Sequence, residues 1–194
     1  MGLKIGVLAL QGDFREHAWA VEKLGAQAVQ VRRPAQLEGL DGLIIPGGES
    51  TTIGKLMAEY GFLEAIPAHY EQGMAIYGTC AGAILLAKDI KESDQPRLGL
   101  MDMSIRRNAY GRQRESFEAT LDIPAIGEPG FPAVFIRAPY IEELHGTARP
   151  LATYRGHVVM AQQDRLLASS FHPELTEDTR VHAYFLTLAA SRGG

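Results

Sequence analysis

The sequence contains a single cysteine, Cys80, among its 194 residues. An intramolecular disulfide is therefore impossible, and the chain offers no Cys/His spacing of the kind that binds zinc. It also lacks any apolar run close to the ~18 residues that span a bilayer, and its first residues lack the charged and apolar regions of a signal peptide. From these absences we expect a cytoplasmic protein with no metal site and no cofactor.

The chain also lacks an excess of positive charge. It has 19 Lys and Arg against 23 Asp and Glu, which gives a net charge of −4, and its pI is about 5.9. We therefore expect neither nucleic acid nor a membrane as a partner. With 46% hydrophobic residues, 21 glycines and 10 prolines, the composition excludes collagen-like and disordered classes. The length predicts one domain over residues 1–194.

In the first half of the sequence, apolar runs of strand length alternate with segments that have the apolar periodicity of a helix. Strands are predicted over residues 3–10, 28–31, 42–45 and 74–77. Helices are predicted over 14–24, 53–60 and 83–87. We interpret this half as four strand and helix repeats, which favour an α/β fold with an open, mostly parallel sheet flanked by helices.

The second half changes to short alternating segments, so we expect extra antiparallel strands there. They are predicted over residues 103–106, 117–121, 133–136, 152–154, 157–161 and 166–170. A helix whose apolar face runs from Val181 to Leu188 closes the chain. Because ligands of open α/β sheets bind at the carboxyl ends of strands, the loops after the third, fourth and last strands are the expected location of a site.

The segment GTCAG at 78–82 has the form of a nucleophile elbow with cysteine in place of serine. Its two glycines allow a strand to turn sharply into a helix, which would leave the sulfur of Cys80 exposed at the edge of the sheet. A helix N-terminus and a nearby imidazolium favour the thiolate, which is the attacking species. The alternative is that Cys80 is a small buried hydrophobic residue.

A nucleophile needs a base, and His172 is the candidate. It follows an apolar strand and precedes Glu174 by two residues, so in an extended chain the two side chains would face the same side. Glu174 could then orient His172 and complete a Cys-His-Glu triad. The alternative is an ordinary surface turn. The chain order also differs from that of α/β-hydrolases, in which the acid precedes the histidine. We expect the remaining histidines at the surface or in packing: His17, His69, His145, His157 and His182.

The segment PGGEST at 46–51 suggests a phosphate-binding loop, but its spacing does not match, and Lys55 is followed by leucine instead of serine or threonine. Gly47 and Gly48 could instead aim a backbone N–H at a developing oxyanion beside the amide of Ala81. A plain turn is the alternative.

Residues 105–114 hold four arginines in an otherwise acidic protein, namely Arg106, Arg107, Arg112 and Arg114. Such a cluster is commonly a solvated face. An arginine fork could also hold a substrate carboxylate, as could Arg137.

Together these segments resemble the class I, triad-type glutamine amidotransferases, and more narrowly the family of glutaminase subunits of pyridoxal 5′-phosphate synthase. The motifs that carry the resemblance are LALQG at 8–12, PGGESTT at 46–52, GTCAG at 78–82, RNAYGRQ at 107–113, FIRAP at 135–139 and SFHPELT at 170–176. The resemblance covers essentially the whole chain and implies a flavodoxin-like fold.

The resemblance also implies a reaction, which is hydrolysis of L-glutamine to L-glutamate and ammonia. Cys80 would form a glutamyl thioester, His172 would act as base and then acid, and Glu174 would orient it. The implied glutamine-binding residues are Gly48, Glu49, Ser50, Arg107, Ile136 and Arg137. The ammonia would pass to a separate synthase subunit, in a large assembly with glutaminase subunits around a dodecameric core.

Two other interpretations stay open at this point. A cysteine hydrolase of the DJ-1/PfpI type shares the elbow on a related fold, although the order of His172 and Glu174 argues against it. A non-catalytic subunit that only senses glutamine belongs to a different class, and such a binder would not need Cys80, His172 and Glu174 together.

Overall fold

A computed structural model describes residues 2–110 and 115–191 of the chain. In this part of the chain the α-helices are α1 (Phe14–Lys23), α2 (Ser50–Glu59), α3 (Phe62–Glu71), α4 (Ala81–Leu86) and α5 (Arg180–Ala190). Short 3₁₀ helices cover Pro34–Leu37, Pro124–Ile126 and Pro173–Leu175. Among the described residues, no helix is both long enough and apolar enough to cross a membrane.

The strands form one large mixed sheet and one small antiparallel sheet. They are β1 (Lys4–Leu8), β2 (Gln27–Val31), β3 (Gly42–Ile45), β4 (Ala75–Thr79), β5 (Ala87–Ile90), β6 (Met101–Arg106), β7 (Ser116–Leu121), β8 (Phe131–Ile136), β9 (Tyr140–Leu144), β10 (Arg149–Tyr154), β11 (His157–Gln163) and β12 (Leu166–Ser169). The ten-stranded sheet has the order β2-β1-β3-β4-β12-β11-β9-β6-β5, with β10 paired to β11, and β7 pairs with β8 separately.

In the run β2-β1-β3-β4-β12 each strand is parallel to the next, and β12 lies directly beside β4. Their register places Ser169 opposite Thr79. The carboxyl ends of β4 and β12 therefore meet at one edge of the sheet. The loops that follow these two strands begin side by side, which is where a site is expected in an open α/β sheet.

Beyond β12 the sheet continues through antiparallel pairs to β11, β9 and β6, and β5 pairs with β6 in parallel. The prediction of an open, mostly parallel α/β sheet with extra antiparallel strands in the second half is confirmed. Most of those extra strands extend the main sheet, and only β7 and β8 form a sheet of their own.

The two faces of the sheet carry separate hydrophobic cores, because successive strand residues point to opposite faces. In β4, Ile76 joins the core covered by α2, α3 and α4, whereas Tyr77 joins the core covered by α1, α5 and the small sheet. Both side chains are fully buried. The strand that precedes Cys80 is thus fixed on both sides.

Several elements differ from the sequence prediction. No helix follows β2 in the described structure; the 3₁₀ helix Pro34–Leu37 lies there instead, so the prediction of four strand and helix repeats was wrong. Helix α3 was not predicted, and it carries Pro67 in its interior, where the missing N–H removes a helical hydrogen bond. Strands β5 and β9 were also missed. The helix predicted over 83–87 begins earlier, at Ala81, because the chain turns at Cys80.

Candidate active site

Cys80 occupies a strained turn between β4 and α4, as the sequence predicts. Its backbone has φ 52° and ψ −105°, a conformation that L-residues rarely adopt and that is typical of functional sites. Gly82 makes the turn possible, because a Cβ at that position would lie 2.0 Å from the carbonyl oxygen of Ile45 on β3. Cys80 is 7% exposed, and its Sγ lies 3.8 Å from the Ile136 carbonyl oxygen.

His172 follows β12 and is held at the same edge of the sheet. Its backbone N–H donates to the Val134 carbonyl on β8 at 2.8 Å, and its Nδ1 lies 2.6 Å from Glu174 Oε1. Burial lowers the pKa of His172, but hydrogen bonding to Cys80 and to Glu174 outweighs it and raises the pKa to about 10. The surroundings therefore favour an imidazolium between a sulfur and a carboxylate.

The backbone that joins His172 and Glu174 is not extended, so that part of the sequence prediction was wrong. Pro173 begins a 3₁₀ turn over Pro173–Leu175, since its fixed φ suits the first position of a helical turn. The turn folds the Glu174 side chain back to Nδ1 of the imidazole. The two side chains therefore meet by a tight turn, where the sequence predicted strand alternation.

Glu174 is itself buried, with 5% exposure, and burial raises the pKa of its carboxyl while the His172 hydrogen bond lowers it. Its second oxygen, Oε2, lies 3.4 Å from Nε2 of His17 on α1. His17 Nδ1 in turn lies 2.8 Å from His182 Nε2 on α5. Both histidines are buried, but sequence analysis missed the contact of His17 with Glu174 and that of His182 with His17.

Burial lowers the pKa of His182 to about 4. Burial, together with the neighbouring His182 and His172, also holds the pKa of His17 well below its usual range. Both imidazoles are therefore neutral at physiological pH. They form a buried polar connection between two helices and the carboxylate that faces His172.

A cavity of about 330 Å³ opens in front of Cys80, which is within the range of small-molecule sites. Its walls include most of the residues singled out in the sequence, namely Gly48, Glu49, Ser50, Cys80, Ala81, Arg107, Ile136, Arg137 and His172. Three residues that the sequence did not single out also line it, namely Asp13, Ile84 and Asn108. Glu174 does not line the cavity and lies behind His172.

Gly47 also lies behind the cavity wall, packed against the histidine. A Cβ there would lie 2.5 Å from His172 Cε1 and 3.5 Å from Cys80 Cβ. Its carbonyl accepts a hydrogen bond from the Asp13 N–H at 3.2 Å. Because the peptide is planar and trans, the following N–H, that of Gly48, points away from Asp13.

The carboxylate of Glu49 faces its own helix. It accepts hydrogen bonds from the Thr51 N–H at 3.2 Å and the Thr52 N–H at 2.7 Å, and bonding to Thr52 holds the pKa of this carboxyl below its usual range. The side chain caps α2, so Glu49 offers the cavity mainly its backbone.

Arg107 is fixed near the cavity by two neutral acceptors. Its Nη1 donates to Thr51 Oγ1 at 3.3 Å and to Gln95 Oε1 at 3.1 Å. Neither partner carries a charge, so the guanidinium remains able to attract an anion. Of the other arginines of this cluster, Arg106 pairs with Glu92 and Glu142. Arg112 and Arg114 lie outside the described residues.

One group of possible metal ligands occurs within residues 2–110 and 115–191, and it overlaps the His172 pair. Ligand atoms of Asp13, His172 and Glu174 lie within 4.8 Å of one another. His172 and Glu174 already bond to each other at 2.6 Å, and Asp13 Oδ2 lies 3.8 Å from His172 Nδ1. The histidine and the two carboxylates thus form one cluster, in which Asp13 and His172 line the cavity and Glu174 lies behind His172.

Solved structures show which class of protein shares this architecture. A crystal structure of a glutamine amidotransferase that is 53% identical aligns with a TM-score of 0.92, over 96% of this chain and 98% of that one. The structure of PurLQS from Thermotoga maritima has the same fold at 17% identity, with a TM-score of 0.69, over 96% of this chain and 99% of that one. The fold is that of the class I glutamine amidotransferases.

The family within that class follows from sequence comparison. Residues 7–190 match the model of the SNO glutamine amidotransferase family, and the chain belongs to this family. A protein of Moorella thermoacetica named pyridoxal 5′-phosphate synthase subunit PdxT is 59% identical over 96% of this chain and 99% of its own length. A protein of the same name from Pelotomaculum thermopropionicum is 57% identical over 98% of this chain and 97% of its own length.

Proposed function

We propose that this chain hydrolyses L-glutamine to L-glutamate and ammonia through a thioester on Cys80. The observation that carries the proposal is that Cys80, on its strained turn, lines one cavity with His172, whose Nδ1 is held by Glu174 at 2.6 Å. A thiolate, an imidazolium and a buried carboxylate are the groups that acyl transfer from an amide requires.

The reaction divides into two displacements. The Cys80 thiolate attacks the side-chain amide carbon, His172 gives a proton to the departing nitrogen, and the C–N bond breaks to release ammonia and leave a glutamyl thioester. Water then attacks the thioester carbon while His172 accepts its proton, and the C–S bond breaks. Glutamate leaves, and the thiolate and imidazolium are restored.

Each displacement passes through an oxyanion, which two backbone donors would stabilise. We assign this role to the N–H groups of Gly48 and Ala81, which both line the cavity, with Gly47 holding the peptide in place. The hydrogen bond from Asp13 to the Gly47 carbonyl supports this orientation of the Gly48 N–H.

The remaining walls would bind the glutamine backbone. Arg107, fixed by neutral partners, is suited to the α-carboxylate. The other proposed contacts come from the rest of the cavity wall, namely Gly48, Glu49, Ser50, Ile136 and Arg137.

The product suggests the partner. Ammonia in neutral water is mostly ammonium, which is not nucleophilic, so a glutaminase loses its useful product unless an acceptor protein is docked to it. The names of the relatives from Moorella and Pelotomaculum point to the synthase subunit of pyridoxal 5′-phosphate synthase as that partner. We propose the same role in vitamin B6 biosynthesis here, with glutaminase subunits arranged around a dodecameric synthase core.

The proposal assigns residues 1–194 to one glutaminase domain working in the cytoplasm. A single ten-stranded sheet that contains strands from both halves of the chain supports the first point. The proposed cytoplasmic location is consistent with the chemistry, because the reaction depends on a reduced Cys80 and the cytoplasm keeps thiols reduced.

The test measures glutamate release from L-glutamine by the purified chain, alone and with the cognate synthase subunit. We expect release that appears or rises with the synthase, and none from Cys80→Ala. The matched control is His145→Ala at an exposed histidine, which should keep wild-type turnover. A Cys80→Ala variant that retains a tenth of the turnover would refute the nucleophile, and no release by the reduced wild-type protein in either condition would favour a regulatory or other hydrolase role.

A further inference from the structure

Behind the proposed triad lies a second line of buried polar groups that the reaction steps above do not use. His17 on α1 and His182 on α5 are 0% and 1% exposed and meet at 2.8 Å. The other ring nitrogen of His17, Nε2, lies 3.2 Å from Thr79 Oγ1 and 3.4 Å from Glu174 Oε2. The line therefore runs from α5 through α1 to the carboxylate that faces His172.

The hydrogen-bonding capacity of these groups decides which nitrogens carry protons. An ionised carboxylate only accepts hydrogen bonds, so the nitrogen that faces Glu174 Oε2 must carry its proton. Neutral His17 then has a bare Nδ1, which accepts from His182 Nε2–H. This leaves His182 Nδ1 as a bare acceptor, and that atom is buried without a hydrogen-bond partner.

The opposite arrangement is unfavourable at both ends. If His17 donated through Nδ1, His182 would have to carry its proton on Nδ1, where a buried N–H would be left without an acceptor, which is rare and costly. At the other end, a lone pair on His17 Nε2 would face the lone pairs of Glu174 Oε2. The need to pair buried N–H groups and the charge of Glu174 therefore favour the same direction of hydrogen bonding, from His182 to His17 and from His17 towards Glu174.

We propose that His17, held by His182, is a positioning residue that presents its Nε2–H to Glu174 Oε2 and keeps this carboxylate ionised and aimed at His172. Glu174 Oε2 has no well-aligned hydrogen bond of its own, so the His17 N–H, shared with Thr79, is the polar group that the described structure places beside it. This inference rests on the proposed glutaminase function of the same site.

The charges around Glu174 are few. His172 and His17 face it directly, and Asp13 and Tyr77 lie within electrostatic reach. Arg15 and Glu16 line an open depression at the protein surface that also reaches Glu174. Of these groups, His17 is the neutral one whose ring nitrogen lies beside the second carboxylate oxygen, at 3.4 Å.

The first test is independent of activity and reads the ring protons directly. ¹⁵N NMR of the full chain with labelled histidine, assigned by comparison with His17→Gln, should show neutral His17 protonated at Nε2 and bare at Nδ1 at pH 7. A His17 ring protonated at Nδ1 would overturn the proposal, whether or not the protein hydrolyses glutamine.

The second test compares two substitutions by the pH dependence of glutamate release in the presence of the synthase. His17→Gln keeps an N–H donor towards Glu174, whereas His17→Leu removes it. We expect His17→Leu to lower kcat about 10-fold, in line with the loss of a hydrogen bond to a charged group, with little change in KM. The acid limb of its pH–rate profile should move to higher pH, because Glu174 becomes harder to ionise. His17→Gln should recover most of kcat and the wild-type limb.

Val21→Ala is the control for simple destabilisation, because Val21 is buried one turn further along α1 and packs in the core. It should lower the melting temperature without moving the acid limb. If His17→Leu and His17→Gln lowered kcat equally and left the acid limb unchanged, the proposal would be wrong and His17 would be a packing residue. If the wild type with the synthase releases no glutamate, the proposed function fails, and the NMR result still decides the direction of the line.

Discussion

The free energy of unfolding at acid pH should depend on the buried neutral histidines. Burial lowers the pKa of His182 to about 4, whereas a histidine in an unfolded chain titrates near ~6.5. Below pH ~6.5, His182 therefore binds a proton in the unfolded chain that it does not bind in the folded chain. The stabilisation from this neutral ring is fully present above pH ~6.5 and is lost as the pH falls towards about 4.

The size of the effect follows from the two pKa values. Their difference corresponds to about 3 kcal/mol of unfolding free energy, of which about 2 kcal/mol is already lost at pH 5. That is a large part of the ~5–15 kcal/mol that typically holds a domain folded. His17 acts in the same direction, because its pKa is also lowered by burial.

Urea unfolding of wild type and His182→Gln at several pH values between 8 and 5 measures this contribution. Glutamine does not titrate and keeps an N–H that can donate to His17, so the variant should lose about 2 kcal/mol less than wild type between pH 8 and pH 5. His145→Gln, at an exposed position, should follow the wild-type curve. Parallel curves for wild type and His182→Gln would refute the argument that His182 is neutral in the folded protein.

Three further substitutions probe the cavity wall and the residues behind it. Glu174→Gln removes the charge held 2.6 Å from His172, so kcat/KM should fall by at least about 10-fold, while Glu177→Gln on the exposed chain just beyond should match wild type in the same glutaminase assay. Arg107→Gln should raise KM for glutamine more than it lowers kcat, and steady-state kinetics that show only a kcat loss would contradict its proposed carboxylate contact. Gly47→Ala would place a Cβ 2.5 Å from His172 Cε1, so glutamate release should be lost with an unchanged circular dichroism spectrum.

The parts of the site that are local in sequence were predictable. The strand, turn and helix around Cys80 follow from its flanking glycines, and the pairing of His172 with Glu174 follows from their spacing of two residues, although the turn that joins them was not foreseen. The contact between His17 and Glu174 could not be predicted in the same way. It depends on α1 packing against the 3₁₀ turn Pro173–Leu175, which holds Glu174, and against α5, which brings His17 to His182 from 165 positions away.

The position of β12 in the sheet could not be predicted from hydrophobic periodicity either, yet it determines the distance between Cys80 and His172. Ser169 pairs with Thr79, the Cys80 N–H donates to the Ser169 carbonyl at 2.8 Å, and Tyr77 and Ser169 bond through their hydroxyls at 2.7 Å in the core. A slip of one residue would exchange the buried faces of β12 and carry His172 away from the sulfur. The alignment of nucleophile and base is thus set by main-chain pairing and by the core beneath it. Substitutions on the cavity wall should therefore alter catalysis more than folding, whereas substitutions beneath it should alter both.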